Sequence, residues 1–423
     1  MSEQVTKCLS FLDQSPTSFH AISSIAEQLT SCGFSKIQET EKWNLEKGGK
    51  YFVSRGGSLC AFILPTKKIE RATLLASHTD SPCLKLKPCS LFTSHNYLQL
   101  ATEVYGAPLL SSWLNRDLKI AGRAFVKTKD GKCEERLVHL QEPLVSIPQL
   151  AIHLDREAND KGCVLNRQDH LNALVGLNKL PHLEELLIPH LDCKSILAYD
   201  LFLVPTEKAA LLGIDREMIS SYRLDNLLSA HAMLSSLTKA KSSLEETVSI
   251  GFFFDHEEIG SSSREGASSC FAKDVFNRLS HTFSLSLEES AILRAKSLAI
   301  SIDLAHALHP SYESRHDPRN TPLFGKGVVF KSNANHRYAS DAASSCKLLS
   351  LCKAHDLPYQ FYAARGDIPC GSTVGPMIAE SLGIRTVDIG STLLSMHSVR
   401  ELGSVRDYLD LTALLTHLLC EDA

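Results

Sequence analysis

The chain has no CxxC pair, no HExxH sequence, no apolar run of the roughly 18 residues a membrane span requires, and no excess of basic charge. Each absence removes a class of protein. Its 13 cysteines are an odd number, and none are spaced as CxxC. A disulfide scaffold or a thiolate zinc knuckle is therefore excluded, and reduced, mostly buried thiols are expected. Without HExxH, a single-zinc site of the metzincin type is not expected. Without an apolar run, no membrane is expected as a partner. The N-terminal stretch Met1–Ile22 shows no basic segment leading into an apolar one. No export signal is expected, and a cytoplasmic location is. Forty-four basic residues against 48 acidic ones give a net charge of −4, so nucleic acid is not an expected partner either.

What remains is an ordinary globular composition, 43% hydrophobic and 22% charged over 423 residues. That length suits two or three domains with ample core. There is no internal repeat. The polar stretch Lys239–Thr247 reads as a connector.

Several short apolar runs end in chemically capable residues. Thr73–Ser77 runs into His78, Val248–Phe254 into Asp255-His256-Glu257-Glu258, and Leu298–Ile302 into Asp303; Thr386–Gly390 precedes His397. Such runs read as buried strands. Helical patterns over Ala21–Thr30, Asp225–Leu237, Ala339–His355 and Val374–Leu382 lie between them. Alternating strands and helices predict an α/β sheet, whose sites gather at the carboxyl ends of strands. Arg123–Leu140 reads instead as a hairpin turning at Lys129–Lys132. From about Cys83 to Tyr222 the chain has β-ribbon character and few catalytic-looking residues. It is expected to form an inserted domain (84–221), with 1–83 and 222–423 forming the α/β unit.

Each candidate taken alone has an ordinary explanation. His78, in Ser77-His78-Thr79-Asp80, would pass as a core histidine. Asp255–Glu258 would pass as a solvated acidic loop, although the preceding phenylalanines drive the chain inward. Adjacent carboxylates raise each other's pKa, and a cation relieves this. Asp225 would pass as a helix N-cap, His397 as a loop histidine, and His306 and His309 as polar residues under a loop. Cys370–Gly375 is not G-x-S-x-G and reads as a loop before a helix. Together, however, His78, Asp225, Glu258, Asp303 and His397 give two imidazoles and three carboxylates without a thiolate. A pair of hard-to-borderline divalent ions needs such a set, with a further glutamate to take a proton from water.

In sequence order, six segments resemble the M18 metalloaminopeptidase family: Ser15–Ala21, Ser77–Pro82, Arg223–Asn226, Phe254–Ser261, Ile302–Ala307 and Met396–Glu401. The resemblance covers nearly the whole chain. It implies a metallopeptidase domain with a mixed central sheet flanked by helices, interrupted by a smaller β-rich association domain. It also implies self-association as a dodecamer of dimers enclosing the active sites. By the same resemblance Asp225 bridges two metals, His78 and Asp303 complete one, and Glu258 and His397 the other. Glu257 is the implied general base and Asp80 orients His78. Lys331, Tyr338 and His306 match substrate-contacting positions, and His153 matches a histidine contributed by a neighbouring subunit. Two divalent ions, zinc foremost and manganese or cobalt acceptable, would hydrolyse the first bond of peptides with N-terminal Asp or Glu. Lys331 is the expected partner of that acidic side chain, unless it is a plain surface lysine. A preference for neutral N-termini, or a non-catalytic assembly or cargo-binding protein, are the alternatives. The chain departs from the family at His256, where asparagine is more frequent; this puts an imidazole beside the base, able to perturb it or act as a stray ligand.

Overall fold

The structure is a computed structural model describing residues 2–177, 182–240 and 245–421. Residues 241–244 of the expected polar connector therefore lie outside it.

The core of the α/β unit is a nine-stranded mixed sheet. Its order is Ser35–Lys36, Lys50–Arg55, Ser58–Ile63, Thr247–Phe254, Arg71–His78, Leu298–Ile302, Arg385–Gly390, Val328–Lys331 and Tyr359–Tyr362. The predicted apolar runs supply its central strands. Every residue of Thr247–Phe254 is buried. Its three phenylalanines alternate: Phe253 belongs to the hydrophobic cluster that holds Ile25, Leu228 and Leu415, Phe252 and Phe254 to the one that holds Phe271 and Ile378. Period-two geometry makes an all-apolar strand serve two cores at once.

Helices cover both faces. The predicted ones are present as Ser18–Ser31, Leu224–Lys239, Ala342–Ala354 and Val374–Leu382. Ala342–Ala354 starts later than expected because Asp341 takes the N-cap: its carboxylate accepts the Ser344 N–H, and the Ser344 hydroxyl accepts the Asp341 N–H. Thr373 caps Val374–Leu382, so the Cys370–Gly375 loop leads into a helix as expected.

A second sheet of six strands is antiparallel throughout. Its order is Cys133–His139, Leu118–Lys127, Ser195–Pro205, Cys83–Ser94, Tyr97–Tyr105 and Ala173–Gly176. The predicted hairpin is present, its turn closed by hydrogen bonds between Thr128, Gly131 and Lys132. Trp113, Ile120, Leu201 and Leu203 belong to a hydrophobic cluster of this region. A third, five-stranded sheet runs Ala210–Leu212, Met218–Ser221, Glu401–Ser404, Thr392–Leu394 and Ala305–His306.

All 13 cysteines are free. The expectation that they are mostly buried is corrected: Cys8, Cys60, Cys83, Cys193 and Cys352 are buried, while Cys32, Cys89, Cys133, Cys270 and Cys346 are exposed. The buried ones fill apolar positions, whereas the exposed ones sit on strands, at helix ends or on helix faces that meet solvent, where a thiol has no packing role. No helix among the described residues is long and apolar enough to cross a membrane.

Candidate active site

Parallel pairing brings the candidates together. Phe254 lies beside His78 in the register, Ser301 beside Ala76, and Ile302 beside Ile389. The strands therefore end side by side, and His78, Asp255 and Asp303 emerge at one edge. Gly390 keeps the neighbouring strand close: a Cβ there would lie 1.8 Å from the Asp303 carbonyl oxygen.

Asp225 enters from the start of the core helix Leu224–Lys239, at an αL residue (Arg223, φ 64°) and a cis Asp225–Asn226 peptide. It does not serve as a cap, since that helix has no side-chain cap bond. Its two oxygens face two imidazoles instead. His78 Nε2 lies 3.5 Å from Oδ1, and His397 Nε2 lies 3.5 Å from Oδ2. His78 Nε2 is also 3.7 Å from Asp303 Oδ1, and His397 Nε2 is 3.4 Å from Glu258 Oε1.

The far nitrogen of each imidazole is fixed by a carbonyl. His78 Nδ1–H donates to the Asp80 carbonyl at 3.1 Å, and His397 Nδ1–H donates to the Ala107 carbonyl at 3.1 Å. A carbonyl only accepts, so both tautomers leave Nε2 aimed at the carboxylates. Asp80 also places its Oδ1 3.4 Å from His78 Nδ1. Its carboxylate accepts the N–H groups of Glu257 and Glu258, each at 3.1 Å, and the Tyr105 hydroxyl at 2.7 Å. Asp80 thus holds the glutamate turn as well as the histidine.

These residues fit a bound cation. Asp225 Oδ1 is buried and has no hydrogen-bond partner. Ligand atoms of His78, Asp225 and Glu258 all lie within 4.8 Å of one another. Burial pushes Glu258 up to about 7 and raises Glu257 well above its usual range, with neighbouring carboxylates adding to both shifts. Burial alone would also raise Asp225, but His397 and His78 hold it well below the ordinary carboxylate range. Burial works against a charged His397, yet Asp225 and Glu258 carry its pKa to about 11. So dense an acidic pocket holds protons where a cation would otherwise sit.

A cavity of about 370 Å³ opens on this group. It is lined by His78, Asp225, Glu257, Glu258, Asp303, His306, Lys331, Tyr338 and His397. Two of the predicted residues are not on its wall. Asp80 sits behind it. His153 lies on an exposed turn in another part of the chain.

Lys331 ends the strand Val328–Lys331 and is 2% exposed, which excludes a plain surface lysine. Its ammonium lies 3.6 Å from Asp303 Oδ2 and 5.4 Å from the Tyr338 ring centre. It is the only lysine or arginine among the described residues lining the cavity.

His256 turns away from the cavity. Its αL backbone (φ 65°) sends the ring to Ser263 Oγ at 2.7 Å, with Asp255 Oδ2 3.7 Å from Nε2. It lines a separate cavity of about 200 Å³, together with Asp80 and with Pro16–Phe19 of the Ser15–Ala21 segment, where Ser18 donates to Asp255 at 3.1 Å. Burial and Asp80 raise Asp255 to about 6.

Glu401 was missed as a functional residue. It is buried, and it accepts the Asp225 N–H at 3.0 Å on one oxygen and the His397 N–H at 2.7 Å on the other. It clamps two ligand candidates from different elements. Glu401→Gln is expected to fold normally but to weaken metal affinity about 10–100-fold. Metal titration of the chelated protein checks this, and unchanged affinity would remove Glu401 from the site. Tyr105 and the Ala107 carbonyl were missed as well; both belong to the β-rich stretch that looked catalytically silent.

An α/β sheet with imidazoles and carboxylates converging at its strand ends is the layout of a metallohydrolase. Comparison with known proteins narrows this. The family described as "Aminopeptidase I zinc metalloprotease (M18)" matches residues 11–418. A probable M18 family aminopeptidase 2 of Streptomyces avermitilis is 40% identical, over 94% of this chain and 93% of its own. The aspartyl aminopeptidase of Dictyostelium discoideum is 37% identical, over 96% of this chain and 93% of its own. Among solved structures, the cryo-EM structure of the Ape4 and Nbr1 complex superposes with a TM-score of 0.93 at 37% identity, covering 98% of this chain and 85% of that one. The S. cerevisiae mApe1 dodecamer gives 0.86 at 25% identity, covering 98% and 96%. The chain belongs to the M18 aminopeptidase family, a family of zinc metalloproteases.

Proposed function

We propose that this M18 aminopeptidase works with two divalent ions and releases N-terminal Asp or Glu from peptides. The observation that carries this reading is the shared carboxylate of Asp225, whose buried Oδ1 has no hydrogen-bond partner and whose two oxygens each face one imidazole. Asp225, His78 and Asp303 would hold one ion; Asp225, Glu258 and His397 the other. Zinc is the first choice, with manganese or cobalt acceptable to so carboxylate-rich a set. When bound, the ions supply Lewis acidity for the scissile carbonyl and a water of lowered pKa.

The chain's own residues do the rest. Glu257, on the cavity wall, takes the proton from the attacking water and returns it to the leaving amine. Asp80 orients His78 and holds the turn that presents Glu257. Lys331 pairs with the acidic side chain, and Tyr338 and His306 form the adjoining wall. A preference for neutral N-termini draws support from one observation: Asp303 already occupies the Lys331 ammonium. A panel of aminoacyl substrates separates the two. Acidic substrates turned over best supports the first; leucyl or alanyl substrates turned over best replaces it.

Residues 84–221 would form the inserted association domain. The dodecameric mApe1 relative and the exposed Leu150, Ile152, Leu154 and Val164 around His153 support self-association, in which His153 would serve a neighbouring subunit's site.

Metal uptake has a pH signature. His78 and His397 have raised pKa values in the metal-free chain, so they carry protons at neutral pH. A cation must displace these protons, so affinity should rise with pH. Zinc added to weakly buffered, metal-free protein should acidify the solution; binding without proton release would contradict this charge state.

A further inference from the structure

A second cluster of metal-type ligands lies outside the catalytic cavity, where the ends of two helices meet. His355 follows the helix Ala342–Ala354. His417 lies in the last turn of the helix Val405–Cys420, and Glu421 directly follows that helix. His355 Nε2 is 2.7 Å from Glu421 Oε1, and His417 Nδ1 is 3.2 Å from the same oxygen. The imidazoles are stacked, with centroids 3.6 Å apart and planes 16° from parallel. One ligand atom from each of the three residues falls within 4.8 Å of the other two.

Three features separate this cluster from an ordinary surface ion pair. Among the described residues, Glu421 has no lysine or arginine partner; both its ion-pair contacts are imidazoles. His417 and Glu421 are four residues apart, so they share one face of a helical end. The third donor comes from another element, so a bound ion would tie two helix ends together rather than decorate one. Two imidazole nitrogens and a carboxylate are the donor set of a borderline divalent ion such as zinc, with a fourth position left for water.

The position also separates it from the catalytic centre. The helix Val405–Cys420 begins directly after the strand that carries Glu401, and His417 lies 12 residues, roughly 18 Å, along it from Val405. An ion at its far end would not touch the substrate. It would fasten the C-terminal helix, whose first turn is held by Asp407 accepting the N–H groups of Gly325 and Gly327 and the hydroxyl of Thr392.

We propose that His355, His417 and Glu421 form a separate structural site for a zinc-class divalent ion that clips the C-terminal helix to the end of Ala342–Ala354. The ion replaces any proton shared between Glu421 and the imidazoles, and that proton passes to solvent.

The test compares the intact protein with His417→Ala and with Glu421→Gln; the latter removes the carboxylate charge while keeping a similar shape. After chelation and re-equilibration with micromolar zinc, the wild type should retain one more zinc per chain than either variant. Because only this difference is read, the result is independent of how many ions the catalytic site holds. Zinc should also slow amide exchange across Leu414–Glu421 in the wild type alone, and peptidase activity should be the same in all three proteins. Equal zinc content with unchanged exchange at these amides would overturn the proposal, as would binding that requires millimolar zinc, the mark of an adventitious ion only.

Discussion

Glu257→Gln should leave metal content and folding intact while lowering kcat by roughly 10²–10⁴-fold, the usual contribution of a positioned general base. The amide preserves shape and the backbone N–H that Glu257 gives to Asp80. It removes only the capacity to take a proton. The neighbouring glutamate cannot substitute in place, because Glu258 faces His397 Nε2 at 3.4 Å. Burial and the surrounding carboxylates raise the Glu257 pKa in the metal-free chain; bound cations would lower it and leave the carboxylate free to take a proton. Single-turnover and steady-state rates on one peptide, with metal analysis of the same sample, make the check. A variant that keeps near-normal kcat excludes Glu257 as the base. A variant that loses its metal instead assigns Glu257 to the ligand set.

Lys331→Met should cut kcat/KM on aspartyl and glutamyl substrates by roughly 10–150-fold, the equivalent of about 1.5–3 kcal/mol for a charge-assisted hydrogen bond. Leucyl substrates should suffer much less. Methionine keeps most of the buried volume, so the expected loss is of charge rather than of packing. The structure supplies a sharp rival, because the same ammonium lies 3.6 Å from Asp303 Oδ2. If Lys331 acts only by holding Asp303, acidic and neutral substrates will lose activity equally and metal affinity will fall with them. A selective loss assigns Lys331 to specificity; a uniform loss assigns it to the metal site.

The sheet was legible in the sequence because its inner strands are buried on both faces. That forces runs such as Val248–Phe254 to be apolar throughout and to stop abruptly where the chain leaves the core. The convergence of His78, Glu258 and Asp303 was legible for the same reason, since parallel strands end at one edge, whereas Asp225 at a helix start and His397 in a turn stood out by residue type alone. The supporting contacts were not. The Ala107 carbonyl that fixes His397 is backbone, and backbone leaves no mark on residue type. Glu401 stood within a recognised segment, but that both its oxygens are spent on N–H groups of Asp225 and His397 depends on a strand register set by tertiary pairing. The direction of His256 likewise follows from an αL backbone that a histidine does not announce. The cysteines misled because their spacing excludes disulfides and clusters but says nothing about which positions face solvent.

The arrangement at Asp225 is tested most directly by anomalous diffraction at the zinc edge, using crystals of zinc-reconstituted protein. Two peaks should flank the Asp225 carboxylate, one beside His78 and Asp303 and the other beside His397 and Glu258. A single peak there, or none in contact with Asp225, would contradict the two-ion site.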